Sequence, residues 1–329
     1  MIPGKQSPNQ RPRKHVSDFP IVSIVMSVYN SQRYLCSAVE SILAQTFSNF
    51  EFIVINDGST DRSLKILRDF QKQDHRIRVI SRDRTGLTPA LNEGIRLAKG
   101  HFIARMDADD VAYPQRFEQQ VHFLNKYPAC VAVGCALLLI DPDGEAIAER
   151  HPLVPHDSIV LSLLSGNTAI PHPSAMIRRE ALVSVGAYRE DFEYAQDLDL
   201  WLRLCETGEL ANLGKILMQY RLHEQSITAK HLTRQAECAE RAVRDAYQRR
   251  QLSIPTNFRM PVRKIVSRDH TLRRWAKLAL RSGNLEVAKK HAWAAFSTSP
   301  LSLGNVRLAA RFLSYRSKTT AGSWFTSSF

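Results

Sequence analysis

Hydrophobic segments of strand length alternate with helical segments through the first third of the chain. Ile21–Val28 is a nearly continuous apolar run, Phe52–Ile55 repeats the pattern, and Ile77–Ile80 and Phe102–Ala104 are two further short runs. A helix is predicted over Pro89–Lys99, between the last two. Strands that are apolar on both faces and separated by helices are typical of a parallel sheet covered on both sides. The sequence therefore predicts an α/β fold.

Polar clusters follow three of these strands, at Ser27–Asn30, Asn56–Gly58 and Asp107–Asp110. Ligands bind such sheets outside the carboxyl ends of the strands, so the three clusters are expected to meet in one crevice. Asp107 and Asp109 can point toward one ligand, and carboxylate oxygens suit Mg²⁺ or Mn²⁺. A solvated acidic loop without a metal is the alternative interpretation.

Four ordered motifs carry a resemblance to a known family: Ile24–Asn30, Ser41–Thr46, Val54–Asp61 and Ala104–Asp110. From about Pro20 to Ser226 the chain resembles family-2 glycosyltransferases. The resemblance implies a GT-A fold, which is Rossmann-like with a mostly parallel sheet flanked by helices. It also implies an inverting transferase that moves a sugar from a nucleotide-diphosphate donor, expected to be a UDP-sugar, with Mn²⁺ or Mg²⁺ as cofactor. The expected acceptor is a glycan or lipid-linked hydroxyl in surface polysaccharide or glycolipid synthesis.

The resemblance also assigns individual residues. Five of them match nucleotide-sugar-binding positions of the family: Ser27, Tyr29, Asp57, Arg84 and Asp107. Tyr29 would pack its ring against the base, Asp57 would accept a hydrogen bond from the base, and Arg84 would contact the donor phosphates. Asp109 matches the metal ligand. The competing interpretation is that Tyr29 belongs to the core and that Asp57 caps the next helix.

Two later segments extend the resemblance. Gln196–Trp201 is similar to the family's Glu-Asp-x-Asp-Leu-Trp motif, although a Gln occupies its first position. The match makes Asp197 the general base that takes the acceptor's proton. Asp199 is expected to be a structural residue. The alternative interpretation makes Asp197 a helix N-cap. Tyr220–His223 resembles a closing segment in which a His, here His223, reaches the metal or the diphosphate.

Charge divides the chain unevenly. The net charge is +13, and the residues from Lys230 onward carry 20 Lys and Arg against 5 Asp and Glu, a net of +15. The sequence predicts three parts: a disordered lead-in over 1–19, a GT-A domain over 20–229 and a basic helical region over 230–329. The lead-in lacks the apolar core of a signal peptide. Apolar stripes around a break at 282–284 predict a helical hairpin in that last region.

The basic region has two interpretations, attachment to an anionic inner membrane surface and a solvated helical cap. A nucleotidyltransferase is the enzymatic rival, but it needs a Gly-rich loop after the first strand. Two further hypotheses are a catalytically silent relative of the glycosyltransferases and a nucleic-acid-binding protein. The intact acidic motifs disfavour the first hypothesis, and nucleic acid is not an expected partner.

Five cysteines without metal spacing predict buried thiols in a reducing compartment. The sequence thus favours a cytoplasmic protein, peripheral to the membrane if the basic region binds it.

Overall fold

The computed structural model describes residues 19–223, 232–262, 266–308 and 312. Its strands are β1 (Val22–Val28), β2 (Phe50–Asp57), β3 (Ile77–Arg82), β4 (Phe102–Met106), β5 (Val111–Ala112), β6 (Cys130–Ile140), β7 (Ala146–Arg150), β8 (Met176–Arg178) and β9 (Glu209–Arg221). Its helices are α1 (Leu35–Leu43), α2 (Ser63–Gln73), α3 (Leu87–Leu97), α4 (Arg116–Lys126), α5 (His156–Leu164), α6 (Arg179–Ser184), α7 (Gln196–Leu204), α8 (Leu232–Arg249), α9 (Arg268–Arg281) and α10 (Leu285–Thr298).

The strands form one sheet in the order β3-β2-β1-β4-β8-β6-β9-β5, and β7 pairs with β6. β1 runs parallel to β2 and β4, and β2 runs parallel to β3. Beyond β4 the sheet is mixed, because β8 is antiparallel to β4 and β6 is antiparallel to β8. The parallel half brings the carboxyl ends of β1, β2 and β4 to one edge, as the strand and helix pattern predicts.

The central strands are mostly apolar because they contribute to cores on both faces of the sheet. On β1, Val25 packs in one cluster, whereas Ile24 and Met26 pack in the other. On β2, Ile53 belongs to the first cluster and Phe52 to the second. Successive strand residues point to opposite faces, so each face receives every second side chain. This geometry explains why both strands lack the alternation of a half-exposed sheet.

Several predicted elements are confirmed at close to their predicted bounds. The longest apolar run, Cys130–Ile140, predicts a buried strand, and it is β6. The composition of residues 141–144, Asp-Pro-Asp-Gly, predicts a turn, and these residues form the turn that follows β6. The predicted helix of the later acidic motif is α7. The sequence did not predict β5, β7, β8 or β9, because strands of two to five residues, such as β5, β7 and β8, and a strand interrupted by register shifts, such as β9, carry little periodicity.

The C-terminal helices pack on the rest of the chain. α8 lies against α7 and adds Val243 and Ala246 to one of the two main cores. α9 and α10 form the predicted hairpin, which packs on Ile147 of β7 in a third cluster. Phe296, predicted to lie on the apolar stripe of α10, is instead 43% exposed. It follows the buried Ala295 directly, and one residue turns a helix by about 100°, so Phe296 stacks on the exposed Trp293.

Parts of the predicted organisation lie outside the described residues. These parts are the lead-in apart from Phe19, the boundary between 229 and 230, Ser226, and residues 230–231, 263–265, 309–311 and 313–329 of the basic region. Within the described ranges, no helix is both long and apolar enough to cross a membrane. The division into a GT-A domain and a basic helical region stays a prediction.

All five cysteines are free thiols. Cys130 and Cys135 are buried as predicted, and burial raises the pKa of Cys130 to about 11. Cys36 is exposed on α1, so the prediction of buried thiols is wrong at that position. It lies beside the buried Leu35 on α1, and adjacent helix residues point in different directions.

Candidate functional site

The loops that follow β1 and β2 are joined by side-chain hydrogen bonds. Asn30, which adopts a left-handed backbone conformation with φ 48°, accepts a bond from the Thr60 N–H at 2.8 Å through Oδ1. Its own N–H donates to Ser59 Oγ at 3.1 Å. Ser27 lies at the end of β1, where it is partly exposed and opposite Ile55 of β2. These bonds therefore tie the loops after β1 and β2 together at one edge of the sheet.

Asp57 ends β2 and is buried, but it does not cap the helix that follows it. Its Oδ2 accepts from the Gly86 N–H at 2.8 Å, and its Oδ1 accepts from the Thr85 N–H at 3.0 Å. The Arg82 guanidinium donates to the same Oδ1 at 3.1 and 3.2 Å. Asp57 thus fixes the loop between β3 and α3, at the edge where the nucleotide is expected.

Tyr29 is 38% exposed, so it does not belong to the core. The Arg84 guanidinium carbon lies 3.9 Å from the Tyr29 ring centroid, and Arg84 Nη1 donates to the Tyr29 hydroxyl at 3.0 Å. This stacking is a cation–π contact. Gly58, at φ +70°, permits it, because a Cβ there would lie 2.7 Å from the Arg84 backbone nitrogen. The structure therefore places Arg84 against the ring that the base is predicted to contact.

Three carboxylates meet after β4. Asp107, Asp109 and Asp110 each offer one oxygen, and these oxygens lie within 4.8 Å of one another. The Asp110 side chain is buried, and its Oδ2 has no hydrogen-bond partner, while Oδ1 accepts from the Arg221 N–H at 2.9 Å. The sequence motif gave Asp110 no role of its own, although the Asp109-Asp110 pair is visible in it.

Mutual repulsion and burial define the electrostatics of this acidic triad, which is Asp107, Asp109 and Asp110. Burial raises the pKa of Asp110 well above its usual range, and the neighbouring charges of Asp109 and Asp107 raise it further. Burial also raises the pKa of Asp107, an effect that Arg105 opposes. Arg105 Nη2 lies 2.6 Å from Asp107 Oδ1. Clustered carboxylates in a desolvated place are poorly stabilised unless a cation joins them.

Two buried arginines lie behind the triad. Arg105 is a residue of β4 itself, and Arg116 of α4 donates to the Arg105 carbonyl at 2.7 Å through Nη2. Arg116 Nε donates to Gln120 Oε1 at 3.2 Å. Burial lowers the pKa of Arg116 to about 10. Neither arginine was identified from the sequence, because an isolated Arg in a strand or helix gives no signal of burial.

His223 approaches the triad from the end of β9. Its Nε2 lies 2.7 Å from Asp109 Oδ2, and Tyr34 lies beside its ring. Arg221, two residues earlier, donates through Nε to the Asp109 carbonyl at 2.9 Å. The closing segment therefore brings one imidazole to the predicted metal ligand, and Arg221 is a further residue that the motif contained without a predicted role.

Asp197 is the second residue of α7, so it does not occupy the N-cap position. Its Oδ1 accepts from the Leu198 N–H at 2.9 Å. Burial raises the pKa of Asp197, while hydrogen bonds from the Leu198 N–H and the Thr168 side chain partly oppose that rise. A carboxylate with a raised pKa accepts a proton more readily than an exposed one.

Tyr188 and His172 connect the surroundings of Asp197 with those of the triad. Burial raises the pKa of Tyr188, and the charges of Asp197 and Asp107 add to that rise, so both carboxylates act on one hydroxyl. The same hydroxyl lies 2.7 Å from His172 Nε2. Burial lowers the pKa of His172 well below its usual range. His172 is thus a buried residue that is hydrogen-bonded to Tyr188.

Asp199 has a structural environment. Its buried carboxylate accepts from Arg203 Nε at 3.0 Å and from Arg189 Nε at 3.0 Å. Arg203 also donates to the Val185 and Ala187 carbonyls, which fixes the segment before α7. The charges of Asp197 and Asp107 thus both act on Tyr188, whereas the Asp199 carboxylate is occupied by Arg189 and Arg203.

Three comparisons bear on this site. The profile of the family described as Glycosyl transferase family 2 matches residues 23–186. A Haemophilus influenzae protein described as an uncharacterized glycosyltransferase is 34% identical over 243 residues, which are 69% of this chain and 73% of that protein. The Escherichia coli O-antigen biosynthesis glycosyltransferase WbnJ is 31% identical over 242 residues, covering 72% of this chain and 92% of the relative.

A solved structure is similar over most of the chain. Mannosyltransferase PcManGT from Pyrobaculum calidifontis, in complex with GDP-mannose and Mn²⁺, gives a TM-score of 0.54 at 18% identity. The match covers 92% of this chain and 84% of that chain. At this level of identity the similarity concerns the fold, and it confirms the fold class predicted from the sequence.

Proposed function

The chain belongs to glycosyltransferase family 2, and on that basis we propose that it is an inverting, metal-dependent hexosyltransferase. Its substrates would be a nucleotide-diphosphate sugar, with UDP-sugar the expected donor, and an acceptor hydroxyl. One observation carries the proposal: the Asp107, Asp109 and Asp110 oxygens cluster within 4.8 Å at the strand edge that also holds Tyr29 and Asp57.

The residues of the acidic triad fit a divalent cation. The three ligand atoms of the triad itself are carboxylate oxygens, which Mg²⁺ and Mn²⁺ prefer, and Asp110 Oδ2 is buried without a partner. Asp109 and His223 would bind the cation in this proposal, and Asp107 would face the donor's ribose. When bound, the cation would offset the negative charge that develops on the departing diphosphate.

The protein's own residues would hold the donor in place. Tyr29 offers an exposed ring face for the base, Asp57 offers its carboxylate, and Ser27 is partly exposed at the end of β1. Arg84, stacked on Tyr29, has a flexible and exposed side chain, so its guanidinium can turn toward the donor phosphates. Fixing the donor in this way lowers the entropic cost of reaching the transition state.

Asp197 would act as the general base. The acceptor oxygen forms a bond to the anomeric carbon as the bond from that carbon to the diphosphate oxygen breaks, and the nucleotide diphosphate leaves with the electron pair. The acceptor's proton passes to the Asp197 carboxylate. Because burial raises the pKa of Asp197, the proton transfer is more favourable than it would be to an exposed Asp. A single displacement inverts the anomeric configuration.

The acceptor is proposed from relatives alone. The Escherichia coli relative is described as an O-antigen biosynthesis enzyme, and another relative, from Pasteurella multocida, is a chondroitin synthase. We therefore propose a glycan or lipid-linked acceptor in surface polysaccharide or glycolipid synthesis. A screen of nucleotide-sugar donors against the purified protein, measuring release of nucleotide diphosphate with and without Mn²⁺, tests the proposal. Failure of every donor to react with any glycan acceptor would overturn it.

A membrane partner is proposed for the C-terminal hairpin. Trp293 is 71% exposed and Leu301 is 96% exposed, and both lie on the hairpin or directly after it. A face of α9 opposite its buried stripe carries four basic or potentially basic residues: His270, Arg274, Lys277 and Arg281. Arg273, on the same side, is instead largely buried and paired with Asp269. Exposed aromatic and aliphatic side chains beside basic ones suit an anionic membrane surface. A cytoplasmic enzyme held there would meet lipid-linked acceptors.

A further inference from the structure

The C-terminal hairpin contacts the turn between β6 and β7 through one lysine. Lys290 Nζ lies 2.7 Å from Asp141 Oδ2, 2.7 Å from Asp143 Oδ2 and 2.6 Å from Glu145 Oε2. Partial burial lowers the pKa of Lys290, but hydrogen bonds to the three carboxylates outweigh this effect and raise the pKa above its usual value. One ammonium group thus joins all three carboxylates of an acidic turn, defined here as residues 141–145.

The acidic turn is closed by the buried Asp141. Asp141 Oδ1 accepts from the Asp143 and Glu145 N–H groups, both at 2.9 Å, which leaves Oδ2 for Lys290 and for His291, whose Nε2 lies 3.1 Å from it. The carbonyls of the same turn face Arg221 on β9. Arg221 Nη1 donates to the Asp141 carbonyl at 3.1 Å and to the Pro142 carbonyl at 3.3 Å.

Arg221 also holds the acidic triad. Its Nε donates to the Asp109 carbonyl at 2.9 Å, and its backbone N–H donates to Asp110 Oδ1 at 2.9 Å. Its guanidinium lies 4.4 Å from the ring centroid of Tyr34, which in turn lies beside His223. Consecutive contacts therefore run from α10 through the acidic turn and Arg221 to the candidate metal ligands.

We infer that Lys290 is a positioning residue for the cation site, through which the C-terminal hairpin sets the affinity of the acidic triad for its divalent cation. The inference rests on the proposed function, because it takes the triad as that site. Without the ammonium, the Asp141, Asp143 and Glu145 carboxylates repel one another at short range. The acidic turn then loosens, and Arg221 loses the Asp141 and Pro142 carbonyls that accept its hydrogen bonds. Arg221 no longer holds the triad in place, so part of the binding free energy of the cation is spent on ordering the triad.

Mn²⁺ titration of the full chain without donor tests this inference, with free Mn²⁺ measured by electron paramagnetic resonance. We expect Lys290→Gln to weaken Mn²⁺ binding roughly tenfold, the lower end of the usual effect of residues that support metal ligands. Lys290→Arg, which keeps the charge, should restore most of the affinity. In kinetic assays, Lys290→Gln should raise the Mn²⁺ concentration for half-maximal rate, with kcat at saturating Mn²⁺ within about twofold of wild type.

Lys289→Gln is the matched control, because Lys289 lies on the same helix and carries the same charge. Its Nζ contacts only Glu286 among the described residues, in an exposed pair at 2.6 Å. Equal Mn²⁺ affinity of the two Gln variants would overturn the inference. If Lys290→Gln does not fold, the double variant Asp143→Asn with Glu145→Gln takes its place. It removes two of the three carboxylate partners of Lys290, both at exposed positions, and should weaken Mn²⁺ binding less than Lys290→Gln would. Unchanged Mn²⁺ affinity of the double variant would again overturn the inference.

The outcomes separate this inference from the proposed function. A wild-type protein that binds neither Mn²⁺ nor Mg²⁺ would overturn the cation site and the role of Lys290 together. A wild-type protein that binds Mn²⁺ with the same affinity in both Gln variants would overturn only the role of Lys290. Binding that weakens as expected, in a protein inactive toward every sugar donor, would support Lys290 and contradict the proposed function.

Discussion

His223 Nε2 lies 2.7 Å from Asp109 Oδ2, although the two residues are 114 positions apart in the chain. Asp109 follows β4, and His223 follows β9, which reaches the same place by running beside β6 and β5. An imidazole beside a carboxylate at the edge of an acidic cluster can either pair with it or share a cation with it. The first prediction distinguishes these two states.

Asp109→Asn is expected to lower kcat/KM at least roughly 100-fold, because a cation bound at the triad is worth several kcal/mol to the transition state. The fold should persist, since the residue is partly exposed in a loop. Steady-state kinetics and Mn²⁺ titration check both statements, with Asp157→Asn, at an exposed position on α5, as the control. Near-normal turnover of the wild type in EDTA would contradict metal dependence.

Asp197→Asn keeps the size of the side chain but cannot accept a proton. We expect kcat to fall by ~10²–10⁴, the usual contribution of general-base catalysis, while the donor dissociation constant from isothermal titration stays within about twofold. An α-linked donor should give a β-linked product, which the anomeric coupling in NMR reports. Glu193→Gln, at an exposed position before α7, is the control. A fully active Asp197→Asn would place the base elsewhere, and a retained α configuration would exclude a single displacement.

The ionised Asp197 carboxylate should also lower the free energy of unfolding at neutral pH. Burial raises its folded-state pKa above the unfolded value, so the ionised carboxylate destabilises the fold above the folded-state pKa. The cost disappears as the pH falls below the unfolded pKa of roughly 3.9. Asp197→Asn is therefore expected to unfold at higher urea than wild type at neutral pH, and the difference should shrink toward acid. A variant less stable than wild type at neutral pH would show that the charge is compensated.

Arg84→Ala distinguishes a phosphate contact from a base contact. If the guanidinium leaves Tyr29 and turns to the diphosphate, UDP binding should weaken roughly 10- to 100-fold, the loss expected for a charged hydrogen bond of about 1.5–3 kcal/mol. Uridine binding should change little. Isothermal titration with both ligands measures the difference, and Arg78→Ala, exposed on β3, is the control. An equal loss for uridine and UDP would assign Arg84 to the base instead.

Membrane attachment predicts a specific pattern in liposome sedimentation. Trp293→Ser with Leu301→Ser should reduce binding to vesicles containing phosphatidylserine at low salt, because both side chains are largely exposed and lie on, or directly after, the hairpin that carries the basic face of α9. Leu161→Ser removes a similarly exposed leucine, 68% exposed on α5, and should have no effect. A wild-type protein that ignores anionic vesicles would leave the solvated cap as the interpretation of the hairpin.

Local periodicity was enough to predict the elements that determine the fold. β1, β2 and β4 are apolar on both faces, and the turn at 141–144 follows a run of strand residues, so each is defined by side chains close in sequence. The motifs after β1, β2 and β4 could be placed at one edge because parallel strands share the direction of their carboxyl ends. The candidate residues on that edge were therefore accessible to sequence reasoning.

The partners of those residues depended on how the chain packs. The stacking of Arg84 on Tyr29, the buried and unpartnered oxygen of Asp110, and the contact between Lys290 and the acidic turn involve groups without a local pattern. Lys290 and Asp141 are 149 positions apart, and the packing of α9 and α10 on β7 brings them together. Local patterns in the chain indicate which chemical groups stand at the strand ends, because periodicity involves neighbouring residues. The three-dimensional packing settles which charges meet, because burial and electrostatic contact depend on distance in space and not along the chain.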